Sequence, residues 1–180
     1  MSRARKNKSK MFSVQKLVIT ALFIAVGVIL PRFFPFPTGT MFLPMHIPIL
    51  LAGIICGFPY GIAAGVSIPL ICHFATGFPP TAVLPAMLVE LAAYGLFTSL
   101  LIMLPVKNFY ARICISLYGA MILGRVAFGL VNAYIFNIGE YSMETWVTAA
   151  FVTALPGIVI QVIVIPPIVM AVQKTLRNVC

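Results

Sequence analysis

The chain reads as long apolar runs cut by short clusters of proline, glycine and aromatic residues, with almost no polar alternation inside the runs. Runs of about 20 apolar residues are what a helix needs to cross hydrocarbon, so the pattern predicts membrane-spanning helices. Six are expected. Helix 1 covers about residues 13–30 and stops at Pro31, after which Pro35 and Pro37 remove backbone donors and make regular helix unlikely through an aromatic loop. Helix 2, about residues 45–56, is too short to cross a full bilayer, which implies tilt or burial among its neighbours. The turn Gly57-Phe58-Pro59-Tyr60-Gly61 leads to helix 3, about residues 62–75, and Gly77-Phe78-Pro79-Pro80 leads to helix 4, about residues 81–104. Helix 5 is expected over residues 110–136 and helix 6 over residues 146–172, the latter kinked at Pro156 and Pro166-Pro167.

Composition narrows the class to an all-α membrane protein. The chain is 62% hydrophobic and only 8% charged, where an ordinary soluble domain carries roughly a quarter charged residues. It divides into a basic cytoplasmic tail (residues 1–12), one six-helix transmembrane domain (13–174) and a cytoplasmic end (175–180), with no soluble domain. The basic run before helix 1 resembles the start of a secretory signal, but no small-residue cleavage pattern follows, so helix 1 is read as retained. Cys56, Cys72, Cys114 and Cys180 are scattered without metal-ligand spacing and read as free thiols.

The net charge of +9 would suit nucleic acid if it formed a patch. It does not. Arg3, Arg5, Lys6, Lys8, Lys10 and Lys16 precede or open helix 1, Lys107 and Arg112 flank the helix 4–5 loop, and Lys174 and Arg177 close the chain. Basic residues in short segments at helix ends mark the cytoplasmic side, so both termini are placed inside. The acidic loop with Glu140 and Glu144 then falls outside, and Tyr141 and Trp146 at the outer interface.

Ionisable residues deep in a bundle are expensive and face a cavity or each other. Glu90 lies about 12–15 Å below the outer end of helix 4 and Arg125 about 16 Å below that of helix 5, depths at which the two can meet. The pair either locks the two helices together or forms the polar floor of a ligand site. Tyr94 shares a helix face with Glu90, and Asn132 shares one with Arg125. His46 and His73 lie in the outer half, either packed or binding ligand, and Gln161 is read as bridging helices. Phe33, Phe34, Phe36 and Phe78 either line an outward cavity or anchor loops. No phosphate loop, HExxH or GxSxG motif is present, so ATP hydrolysis is expected on another chain. Ala21 and Ala25, one turn apart, form a small-xxx-small surface of the kind that admits a partner helix.

These features resemble the substrate-binding S component of energy-coupling factor (ECF) vitamin transporters. The likeness rests on the basic N-terminal tail, Ala21-xxx-Ala25, the run from Leu43-Pro44-Met45-His46-Ile47-Pro48 to Gly53, Gly77-Phe78-Pro79-Pro80, and Glu90-Leu91-Ala92-Ala93-Tyr94-Gly95. It implies a non-enzymatic subunit of the bacterial cell membrane that binds a vitamin from outside. Helix 1 would dock through Ala21 and Ala25 on a transmembrane coupling subunit carried by two ATPases. The loop of residues 31–45, with Arg32, would cap the ligand, and the pocket would lie in the outer parts of helices 4–6. No cofactor is expected. Arg125 and Arg32 suit a carboxylate, and the resemblance is to members assigned to pantothenate; Glu90 suits hydroxyl or amine donors, as on a pyridoxine-like compound, and folate, queuosine precursors and cobalamin stay open. The competing reading is a self-sufficient secondary transporter with Glu90 as its proton-coupling carboxylate.

Overall fold

A computed structural model describes the backbone of residues 2–34, 42–133, 148, 152 and 154–179, and the side chains of these stretches apart from 2–13, 173 and 175–179. The described residues form six α-helices: α1 (Ser2–Ile29), α2 (His46–Cys56), α3 (Tyr60–Thr76), α4 (Leu84–Leu101), α5 (Phe109–Val131) and α6 (Leu155–Val179), with a 3-10 turn at Leu30–Phe33. Four helical stretches are long and apolar enough to cross a membrane: Val14–Phe33, Leu84–Leu101, Phe109–Val131 and Leu155–Val172. The helices His46–Cys56 and Tyr60–Thr76 are apolar but shorter.

Several boundaries differ from the sequence expectation, α4 covering Leu84–Leu101 instead of 81–104 and α6 opening at Leu155 instead of 146. Helix α1 starts at Ser2, so the basic run continues the helix instead of preceding it, and α6 runs on to Val179. Pro156 falls in the first turn of α6, where a missing N–H has no intrahelical partner to lose, so it opens the helix; Pro166 and Pro167 lie in its interior. The expected helical residues 134–136, 146–147, 149–151 and 153, and the loop with Glu140, Tyr141, Glu144 and Trp146, lie outside the described residues.

The short α2 is the centre of the bundle. Ile49, Leu50, Ala52 and Cys56 are fully buried, and α1, α3, α4 and α6 pack around it. Burial, one of the two expected outcomes, explains how an 11-residue helix sits in an apolar bundle. Gly57 and Gly77 end α2 and α3 with positive φ of 78° and 74°, a backbone state that glycine adopts without a steric penalty.

Glycines also bring the backbones of α2, α3 and α4 together. A Cβ at Gly61 would strike the Gly95 carbonyl, one at Gly95 would strike Gly61, one at Gly65 would strike Leu91, and one at Gly53 would strike Thr98. The pairs 61 with 95 and 65 with 91 fix α3 antiparallel to α4. Hydroxyls stitch the same region: Ser99 Oγ donates to the carbonyls of Gly95 (2.6 Å) and Gly53 (3.1 Å), and Ser116 Oγ on α5 donates to that of Thr98 (2.9 Å). Without a hydrophobic drive between helices in lipid, such close packing and hydrogen bonding carry the association.

Gly95→Leu is therefore expected to lower the melting temperature in detergent sharply, because the obstacle is backbone and overpacking typically costs about 1–3 kcal/mol even where side chains can yield. Gly119→Ala supplies the contrast. Its Cβ meets only the Leu101 side-chain tip, so its melting curve should stay close to that of the parent.

Candidate ligand-binding site

Helix α4 carries Glu90, Tyr94 and Thr98 at four-residue spacing, hence on one face, and all three are buried. Arg125 of α5 lies opposite, with Nη1 3.2 Å from Glu90 Oε1. Tyr94 Oη donates to the same carboxylate oxygen at 2.8 Å. Glu90 sits six positions after the first residue of α4 and Arg125 six before the last of α5, each about 9 Å in from the helix end. That equal depth, in antiparallel neighbours, is what brings them into contact. Each charge alone would cost several kcal/mol in such a place, and each supplies the other's partner.

Tyr94 is fixed from two further sides. Its ring lies so close to Gly124 of α5 that no Cβ fits there. The ring of His46, the first residue of α2, stands 5.2 Å away by centroids at an interplanar angle of 55°. His46 is 3% exposed, and among the described residues its ring nitrogens make no hydrogen bond of good geometry, although the Leu43 backbone lies near them. The turn before it is tight: Leu43 has a φ of 50°, and the His46 N–H donates to the Leu43 carbonyl at 3.1 Å.

The structure thus brings together Glu90, Arg125, Tyr94 and His46. Asn132 is buried one residue past α5 and its Nδ2 donates to the Phe128 carbonyl at 3.0 Å. His73 is half-buried at the end of α3, with Nδ1 2.7 Å from the Pro79 carbonyl, so it ties down the α3–α4 turn. Phe78 of that turn is partly buried against the apolar core, and Arg32 is exposed on the 3-10 turn. Phe33 and Phe34 are exposed; Phe36 lies outside the described residues. On α1, Ala21 and Ala25 are exposed, in a stripe with Leu17, Val18, Leu22, Val26 and Ile29, while Thr20 and Gly27 turn inward.

Below the cluster the hydroxyls are committed to backbone, Thr98 Oγ1 donating to the Tyr94 carbonyl at 2.6 Å. Polar capacity is concentrated at the end of the bundle where α2 and α4 begin and α5 ends. An ion pair with no net charge beside an imidazole with hydrogen-bonding capacity to spare can hold a small polar molecule by hydrogen bonds, with Tyr94 supplying an aromatic wall.

The model of one family, described as ECF transporter, substrate-specific component, matches residues 15–169. No curated protein and no solved structure gives a significant match. The match takes in the whole of the Glu90–Arg125 cluster and all six helices in whole or in part. The chain belongs to the substrate-specific components of ECF transporters, membrane subunits that bind the substrate and leave ATP hydrolysis to separate partners.

Proposed function

We propose that this subunit captures a vitamin or related micronutrient on the outer side of the membrane and delivers it through an ECF module of one transmembrane coupling subunit and two ATPases. The observation that carries the reading is the buried cluster of Arg125, Glu90, Tyr94 and His46. It lies at the bundle end opposite the N-terminus of α1. The basic residues of the two chain ends and of the Lys107–Arg112 loop put that N-terminal end in the cytoplasm, with six crossings. The cluster then opens outward, with the loop around Arg32 and the turn holding His73 and Phe78 as its rim.

The ion pair carries no net charge, so the ligand is held by directional hydrogen bonds more than by charge. Pantothenate is the first compound to offer and a pyridoxine-like ring the second. Purified protein in detergent is expected to bind its vitamin without nucleotide. Vesicles holding this chain alone should accumulate none, and adding the coupling subunit, the ATPases and ATP should start uptake. Accumulation by the lone chain driven by a proton gradient would instead establish a secondary transporter working through Glu90.

A further inference from the structure

Gln161 is a buried polar group that neither helix packing nor the ion pair explains. It is 1% exposed, and among the described residues neither its amide nitrogen nor its amide oxygen has a hydrogen-bond partner. A buried carboxamide left in that state is unfavourable, and in hydrocarbon surroundings no water offsets it. A glutamine bridging helices would show a partner on a neighbouring helix. None is seen among the described residues.

Its position is informative. Gln161 lies six positions after the first residue of α6, again about 9 Å in from the helix end. On the topology proposed above α6 returns antiparallel to α5, which puts Gln161 level with Glu90 and Arg125. It lies on the α6 face that carries Ile158, Ile165 and Val169, which pack in the same apolar core as Ile49, Tyr94 and Met121. The helices against which α6 packs are α2 and α5, the carriers of His46 and Arg125. His46, at the end of the bundle that holds the ion pair, is the other buried side chain there with polar capacity left over, its ring nitrogens making no hydrogen bond of good geometry.

Resting on the ligand-site reading above, we infer that Gln161 is a specificity-determining ligand contact. Its carboxamide pairs with a ligand group that offers a hydrogen-bond donor and an acceptor side by side, as a secondary amide or lactam does. A carboxamide has both functions in one plane, and only a ligand with the complementary pair satisfies both at once. A ligand lacking that pair leaves a buried polar group unmade, which is where strong discrimination between analogues comes from.

The test compares the wild type with Gln161→Leu, His46→Phe and Arg125→Met/Glu90→Leu, each purified in detergent. Bound small molecules are extracted and quantified by mass spectrometry, both as co-purified and after saturation with pantothenate, which carries a secondary amide, or pyridoxine, which does not. The inference expects the wild type to hold an amide- or lactam-bearing species, and Gln161→Leu to weaken it roughly 10- to 100-fold. The melting temperature of the ligand-free variant should not fall, because leucine replaces an unpaired amide; a helix-bridging glutamine would lower it. Equal occupancy in the wild type and Gln161→Leu, with loss in the ion-pair variant, overturns the role of Gln161 alone. Equal occupancy in all variants, or no species bound by the wild type, overturns the ligand-site reading with it.

Discussion

Arg125→Ala is expected to abolish ligand binding and to lower the stability of the protein by about 3–5 kcal/mol, the usual cost of leaving one member of a buried ion pair without its partner. The expectation follows from geometry: Glu90 Oε1 receives Arg125 at 3.2 Å and Tyr94 at 2.8 Å, and only the first of these donors is charged. Because the single variant mixes the two effects, the double variant Glu90→Leu/Arg125→Met is the decisive one. It removes both charges while keeping bulk, and such replacements are often neutral or stabilising. If the pair serves only to lock α4 to α5, the double variant melts near the wild type and binds ligand with unchanged affinity. If it is the floor of the site, the variant folds and calorimetric titration with the vitamin shows no heat of binding.

The meeting of Glu90 and Arg125 was legible because helix rise converts sequence position to depth, and only two charges lie deep in helices 4 and 5. The contact of Tyr94 with Glu90 followed from their four-residue spacing. The packing at the heart of the bundle was less legible, although its signal was present: Gly53, Gly57, Gly61 and Gly65 recur every four residues. Gly57 and Gly61 flank an evident turn, and reading them as turn residues hid the fact that Gly61 also admits the backbone of Gly95.

His73 shows the opposite limit. A histidine near a helix end has the same local sequence whether it faces a ligand or a loop, and only the fold reveals the Pro79 carbonyl 2.7 Å from its ring. Likewise, nothing in the sequence distinguishes a glutamine that bridges helices from one left unpaired. Partners in a bundle come from other helices, and their rotation about their axes is fixed by packing over the whole chain.

Replacing Ala21 and Ala25 together by leucine is expected to reduce vitamin uptake by cells to less than a tenth while leaving ligand binding and the melting temperature unchanged. Both residues are exposed on α1, about 6 Å apart along its axis, in an apolar stripe that no described helix covers. Small residues at that spacing let a second helix approach closely, and two leucines would hold it off by the thickness of a side chain. The inward face of the same helix supplies the control. A Cβ at Gly27 already crowds the Ile68 side chain, so Gly27→Leu should destabilise the fold itself and reduce binding and uptake together. A helix whose outer face matters only for uptake and whose inner face matters for folding is one that docks on a partner. Full uptake by the double leucine variant would move the docking surface away from this face of α1.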